Sequence, residues 1–519
     1  MSNAGHSVTA AQANIIRTDK ATKPASEGFP QHGSSPVRPF RVLFLKPYQD
    51  LPTLLHAPPL GLLYLVSALR QYFGNAVSID LIDMKAHYLD AEWLIPRLDE
   101  FKPDVVGVSA MNYEAAQSHR IADIVKKWNP SALTMLGGAY ALHQSAEIFQ
   151  RCSFDWIIEG PAERTLLFAL ERYLQGRPLG EDLPGLSYRT PDGRLVLSTS
   201  TDVIKDVDSL PLPAWDMVDF DLYASRPWDL FMKPRRYATI FTSRGCPYLC
   251  NYCHDMFSKK FVHRSVGDVL KEIELLHEKY GVDDFQIVDD IFNLHKPRLK
   301  EIMGEVKRRW GGKIQFGFPN GLRADIMDEE VIKALADGGT YYTAVAIETV
   351  TPRLQALVEK HLDVEKTRRS IDMLEEHGIS VKGFFMLGFP TETVEELNAT
   401  VNFALQSKMS MASFFTVVPQ PGTPLYDLAA KENKVALDKV CNNELEGGGA
   451  YRSNDSWYQL AYGYPLSKLT RSANWRFYFG HPRRMLKLLK RSSWLTVLRS
   501  SRSILNVLLP FRIRRGSNK

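Results

Sequence analysis

The 519-residue chain is 45% hydrophobic, 24% charged and 11% aromatic. That balance excludes a small binding module, a fibrous repeat and a disordered chain, and it leaves room for two full domains with appendages. The 64 Lys and Arg exceed the 59 Asp and Glu by five, yet 14 of the basic residues and no acidic one lie between Trp457 and Lys519. The basic excess is a local feature of the C-terminal region and not the broad positive face of a nucleic-acid enzyme, so no nucleic-acid partner is expected.

Residues 1–39 are rich in Ser, Ala, Gly, Pro and Lys and lack the continuous apolar core of a signal peptide, so they read as a flexible tail. From Arg41, short β-branched runs alternate with amphipathic stretches of helical period. The pattern predicts strand Val42–Leu45, helix Leu60–Tyr72, strands Val77–Ile82 and Val105–Ser109, helix Ala115–Trp128, strands Leu133–Leu136 and Trp156–Ile158, and helix Glu163–Tyr173. Apolar runs without polar alternation belong to strands covered on both faces. Residues 40–176 are therefore expected to form an α/β domain with a doubly wound parallel sheet, whose ligand crevice lies at the carboxyl ends of its strands.

Gly and Pro clusters mark a connector over 177–235. A second domain, 236–430, is expected to open with strand Tyr237–Thr242 and a cysteine loop. Strands Phe285–Val288, Ile314–Phe318, Ala344–Ile347, Val381–Leu387 and Ser413–Val418 follow, each preceded by a helical stretch. A closed eight-stranded barrel takes about 250 residues, so these six units predict a partial (βα)6 barrel. Residues 431–519 read as a helical, basic extension. No stretch reaches the roughly 18 uninterrupted apolar residues of a membrane-spanning helix; the nearest, Ile504–Ile513, is short and holds Pro510.

Five cysteines are an odd number in a long chain, and three of them fall within eight residues, which no secreted disulfide framework would do. A reducing, cytoplasmic location is expected. The three stand in Ser243-Arg-Gly-Cys246-Pro-Tyr-Leu-Cys250-Asn-Tyr-Cys253-His254. They can wrap three corners of a cuboidal iron–sulfur cluster; with no fourth cysteine nearby, one iron stays open for a small chelating ligand. A structural zinc site made from the same cysteines and His254 is the alternative, and it lacks the usual second knuckle. Cys152 and Cys441 carry no assigned role.

Cys246-x-x-x-Cys250-x-x-Cys253, just after the first strand of a partial barrel, resembles the cluster loop of the radical S-adenosylmethionine (SAM) superfamily. The resemblance implies a [4Fe-4S] cluster held by Cys246, Cys250 and Cys253, whose open iron SAM chelates, with one-electron reduction giving a 5′-deoxyadenosyl radical. It also implies a SAM site. Tyr252 would pack near the adenine, Asp290 in Asp289-Asp-Ile-Phe292 would meet the amino group, and Glu348 the ribose. Gly388, in the stretch from Gly383 to Glu392, and Gln420, in the stretch from Val418 to Tyr426, would complete it. Strand-end carboxylates also serve as helix caps and Gly-Phe-Pro as a turn, so structural roles compete with these assignments.

Pro58-Pro59-Leu-Gly61, Pro103 to Ser109, Gly137-Gly138-Ala139 and Glu159 to Glu163 resemble the cobalamin-binding module of B12-dependent radical SAM enzymes. The resemblance implies cobalamin on Pro59, Gly61, Ser109, Gly137 and Gly138. The Asp-x-His-x-x-Gly signature that supplies a histidine to cobalt in other cobalamin modules is absent, and His56 reads as a loop residue. A degenerate module that binds nothing is the competing reading. No Gly-x-Gly-x-x-Gly follows the first strand, which speaks against NAD.

This class implies C-methylation of an unactivated carbon, with methylcobalamin donating to a substrate radical. The alternatives are radical ring closure, as in the anaerobic magnesium-protoporphyrin monomethyl ester cyclase, and a non-enzymatic cobalamin sensor, which leaves the three cysteines unexplained. A one-electron donor such as flavodoxin or ferredoxin is the implied partner. From Asn474 to Arg515, aromatic and aliphatic residues sit among uncompensated cations, a pattern suited to an anionic bilayer surface. A hydrophobic or lipid-like substrate and peripheral membrane contact are therefore expected; the alternative is a helix packed over the barrel mouth with a solvated basic face.

Overall fold

The computed structural model describes residues 15–17, 39–48, 56–226, 235–253, 256–445, 456–482, 484 and 486. The first sheet holds β1 (Ile15–Arg17), β2 (Phe40–Lys46), β3 (Val77–Asp83), β4 (Val105–Ser109), β5 (Leu133–Gly137), β6 (Trp156–Ile158), β7 (Leu186–Arg189) and β8 (Leu195–Leu197), in the order β1-β8-β7-β6-β5-β4-β2-β3. β2 pairs in parallel with both β3 and β4, and β4, β5 and β6 continue in parallel. The strand order reverses between β2 and β4, so a crevice opens at their carboxyl ends. Val42 to Leu45 are all buried, as are Val105, Val106 and Val108. Helices Leu60–Phe73 and Glu163–Leu174 join the core on one face, while Leu94–Phe101 and Ala115–Trp128 join that on the other.

Two stretches differ from the sequence expectation. β7 and β8 lie inside the expected connector, β7 running antiparallel to β6 and β8 antiparallel to β7, and they extend the first sheet. β1 lies inside the expected tail and pairs with β8. These strands are three or four residues long, too short to carry a period of their own, so tertiary pairing decides them.

The second domain holds β9 (Tyr237–Ile240), β10 (Ser243–Arg244), β11 (Val262–His263), β12 (Asp284–Ile287), β13 (Gln315–Phe318), β14 (Thr340–Glu348), β15 (Ser380–Leu387) and β16 (Met411–Thr416). Six of them form a parallel sheet, β16-β15-β14-β13-β12-β9, with β9 and β16 at opposite edges. This is the open (βα)6 architecture the strand count predicts. The intervening helices begin where Ser265, Asp328, Asp363 and Thr393 accept a backbone N–H three residues on, each cap being worth about 1 kcal/mol. Helix Val266–Tyr280 buries Val269, Leu270, Ile273 and Leu276, one stripe at helical spacing.

Beyond β16, helices Trp457–Tyr462 and Leu466–Phe479 pack back on the barrel, where the Tyr478 hydroxyl donates to the Ala412 carbonyl at 2.8 Å. Of the segment from Asn474 to Arg515 on which the membrane expectation rests, Asn474 to Phe479 ends this second helix with Phe477 and Tyr478 buried, and the residues from 487 onward lie outside those described. Among the described residues no helix is long and apolar enough to cross a membrane.

Candidate active site

The cysteine loop springs from the carboxyl end of β9, and the antiparallel pair β10 and β11 closes its neck. Buried charge fixes that neck. Asp289, 2% exposed, accepts from Thr242 N and Oγ1, both at 2.6 Å, and from Ser243 Oγ at 2.5 Å. Arg298 donates to the Thr242 and Arg264 carbonyls, and Arg264 pairs with Glu272. Burial raises the Asp289 carboxyl above its ordinary range, with the Ser243 and Thr242 bonds opposing. Of the two adjacent carboxylates, Asp289 is thus a structural clamp. Asp290 accepts the Gly245 N–H at 2.9 Å and sits beside the first cysteine. Gly245 has φ +83°, and a Cβ there would collide with the Lys260 carbonyl, so only glycine makes this turn. Cys246 and Cys250 are half-buried and Cys253 is exposed.

Tyr252 packs into an apolar cluster with Leu354, Val358, Phe389, Val417 and Leu425 at the barrel's strand ends. Glu348 closes β14 after a register shift at Ala346, and its φ of +64° is a left-handed conformation rare for a residue with a side chain. Lys360, absent from the sequence reading, links the two. Its amine donates to the Tyr252 hydroxyl at 3.0 Å and to Glu348 Oε1 at 3.4 Å, and both charged side chains are about one-tenth exposed. Lysine is usually a surface residue, and nothing local in the sequence marked this one.

The remaining SAM assignments fall less directly. Gly388 packs against Tyr458 and Leu466, and its N–H reaches Glu392 Oε2 at 2.6 Å, as Phe389 N does at 2.9 Å. Burial pushes the Glu392 carboxyl up to about 7. Gln420 accepts from Asn112 of the first domain, which places it on the seam between the domains.

Four of the five cobalamin assignments, Gly61, Ser109, Gly137 and Gly138, line one cavity of about 130 Å³; Pro59 stands just before helix Leu60–Phe73 and does not line it. The second domain supplies Phe241, Arg244, Met256 and Phe257 to the same cavity. At Gly138 φ is +87°, and a Cβ would come within 2.6 Å of the Ala110 carbonyl, so the backbone here runs bare against its neighbour. His56 lies apart, buried 3.3 Å from the Tyr88 hydroxyl, and burial lowers its pKa to about 4.

These features suit the implied groups. Three soft thiols on one loop match an iron–sulfur cluster with an open corner. Buried Arg244 Nη1 and Glu163 Oε2 on the cavity wall have no partner, as expected of a wall that meets a polar ligand. Among the described residues no three Cys, His, Asp or Glu side chains converge on a single-ion site. His254, fourth ligand of the zinc alternative, lies outside them.

Comparison with known proteins agrees with this arrangement. The Radical SAM superfamily matches residues 240–404, and the B12 binding domain family matches 53–168. An uncharacterized methyltransferase of Pyrococcus horikoshii is 27% identical over 87% of this chain and 94% of its own. The cytidylyl-2-hydroxyethylphosphonate methyltransferase of Streptomyces wedmorensis is 28% identical over 74% and 80%. The anaerobic magnesium-protoporphyrin IX monomethyl ester cyclase of Rubrivivax gelatinosus is 25% identical over 71% and 66%. The radical SAM methyltransferase TsrM from Kitasatospora setae, solved with cobalamin and a [4Fe-4S] cluster, shares the fold, with a TM-score of 0.59 at 21% identity over 76% and 75%. The chain thus combines a radical SAM domain with a B12 binding domain, as cobalamin-dependent radical SAM enzymes do, and the two domains imply a [4Fe-4S] cluster, SAM and cobalamin as cofactors.

Proposed function

We propose that this enzyme transfers a methyl group to an unactivated carbon of its substrate. In this reading Cys246, Cys250 and Cys253 hold the cluster; Tyr252, Lys360 and Glu348 touch SAM; and Gly61, Ser109, Gly137 and Gly138 seat the cobalamin, with Pro59 behind them. Asp290, Gly388 and Gln420 frame the SAM site through Gly245, Glu392 and Asn112. When bound, the reduced cluster with SAM supplies a hydrogen-abstracting radical, and cobalamin supplies a methyl donor.

One observation carries the reading. The cavity at the carboxyl ends of β4 and β5 is walled on its other side by Arg244, Met256 and Phe257, which belong to the cysteine loop and its neck. A cofactor seated in the first domain therefore lies against the loop that anchors the cluster. Both domains converge on one largely apolar-walled space, which suits transfer between two cofactors. The methyltransferase names among the relatives support the same reaction, and the cyclase relative supports ring closure as the second reading. The expected lipid-like substrate rests on a segment most of which lies outside the described residues, so the reading stops at C-methylation. A one-electron reductant is needed.

The protein, reconstituted with iron and sulfide without oxygen, is incubated with hydroxocobalamin, SAM and dithionite, and the products are followed by mass spectrometry. C-methylation predicts both S-adenosylhomocysteine and 5′-deoxyadenosine. 5′-Deoxyadenosine alone favours ring closure, and the absence of both overturns the enzymatic reading.

A further inference from the structure

Helix Leu466–Phe479 has two faces of different character. Leu466, Ala473 and Phe477, at helical spacing, are buried against the barrel together with Tyr478. Leu466 packs on Gly388, just past the carboxyl end of β15, and the Tyr478 hydroxyl bonds Ala412 near the start of β16. The helix therefore runs antiparallel to β16, along the open edge of the barrel. The opposite stripe, Lys468, Ser472, Trp475 and Phe479, faces solvent. Trp475 and Phe479 are 40% and 43% exposed, and their rings stack with centroids 4.2 Å apart. Arg471 and Arg476 flank the stripe, and neither they nor Lys468 forms an ion pair among the described residues. Leu486, a few residues past the helix, is 58% exposed. Single exposed apolar side chains are ordinary, but a stacked tryptophan and phenylalanine left in water on one stripe, with cations on both sides, mark a contact surface.

Charge decides what covers it. From Trp457 to Lys519 the chain carries 14 Lys and Arg and no Asp or Glu. A second copy meeting this face through a twofold contact would set Lys468, Arg471 and Arg476 against their own counterparts. Residues 487–519 of the same chain hold nine more Lys and Arg and no acid, so they repel the face as well. An acidic protein matches the charge alone. The sequence that follows interleaves its cations with Trp494-Leu495, Val497-Leu498, Ile504-Leu505 and Val507-Leu508-Leu509, and an anionic bilayer takes both kinds of residue. Its headgroups attract Lys and Arg at about 1 kcal/mol each, while Trp and Phe settle at the boundary between headgroups and acyl chains.

We propose that the outer face of helix Leu466–Phe479 is a docking surface for an anionic lipid bilayer: Trp475 and Phe479 enter the interface, and Lys468, Arg471 and Arg476 meet the anionic headgroups together with the cations that follow them in the chain. The contact is independent of the reaction the enzyme performs. It lays the bilayer alongside β16, at the edge of the barrel opposite β9.

The test sediments the full-length protein with vesicles of phosphatidylcholine alone and of phosphatidylcholine mixed with phosphatidylglycerol. The wild type is expected to bind the anionic vesicles at least roughly tenfold more tightly than the neutral ones, and to be released as salt is raised. Trp475→Ser with Phe479→Ser, both on the surface and therefore compatible with folding, is expected to weaken anionic binding roughly tenfold or more. Arg471→Ser with Arg476→Ser is expected to narrow the preference for anionic over neutral vesicles. Sedimentation velocity without lipid is expected to give the same species for the wild type and the aromatic variant. No binding to anionic vesicles, or equal binding to neutral ones, overturns the proposal. Anionic binding that the aromatic variant leaves unchanged overturns the role of this helix, and a wild-type dimer that the aromatic variant dissolves overturns the bilayer as its occupant.

Discussion

The Lys360 amine stands 3.0 Å from the Tyr252 hydroxyl, tying the segment after β14 to the aromatic residue of the cysteine loop. The same amine faces Glu348, and Glu348, Glu359 and His361 all have positive φ. Left-handed residues that carry side chains cost energy and gather where a site over-determines the backbone. Removing one partner from a buried pair costs about 3–5 kcal/mol, much of it from the charge left behind. Lys360→Met is therefore expected to destabilise the barrel by that amount, and Lys360→Met with Glu348→Gln by less. Equilibrium dialysis of SAM against the reconstituted protein should show at least a roughly tenfold weaker affinity for Lys360→Met and a smaller change for Lys360→Arg. Unchanged SAM binding by Lys360→Met would remove Lys360 from the site.

Gly245 sits where a Cβ meets the Lys260 carbonyl and where the Asp290 carboxylate takes its N–H. Gly245→Ala is expected to spoil the cysteine loop and spare the first domain. Iron and sulfide retained after reconstitution should fall to less than half, while the corrinoid bound per chain holds. Asp290→Asn, which keeps an accepting oxygen, should retain most of the iron, and Asp290→Ala should not. Equal loss of iron and corrinoid in Gly245→Ala would mean that the loop is not independently built.

Glu392 is 3% exposed, and burial pushes its carboxyl up to about 7, with its bonds from Phe389 and Gly388 N–H and the nearby Arg353 opposing and Glu396 reinforcing. The folded chain thus keeps a proton that the unfolded chain releases from about pH 4.5. The stabilisation from this group is complete below that pH and is lost as pH rises through 7. Between pH 5 and 8 the wild type should lose roughly 2–3 kcal/mol more unfolding free energy than Glu392→Gln. Matching slopes in denaturant titrations would refute the assignment.

Much of this architecture is written locally. Unbroken apolar runs such as Val42–Leu45 announce strands covered on both faces, and three cysteines in one loop announce their chemistry. What the sequence hid depends on distant partners. Arg244 and Glu163 are 81 positions apart, and Lys360 and Tyr252 are 108 apart; neither pair leaves a mark on a single stretch of chain. Asp289 and Asp290 look alike in sequence, yet the turn of the chain after β12 sends one to the loop neck and the other to Gly245. β7 and β8 sit between Gly and Pro turns and are strands only because β6 offers an edge to β7, and β7 in turn to β8.

The most direct test of an open cluster on the cysteine loop is electron paramagnetic resonance of the anaerobically reconstituted, dithionite-reduced protein before and after SAM is added. A chain holding about four irons with a half-spin signal that shifts with SAM, lost in Cys250→Ala, is the expected result. Zinc in place of iron, or a cluster signal indifferent to SAM, would contradict it.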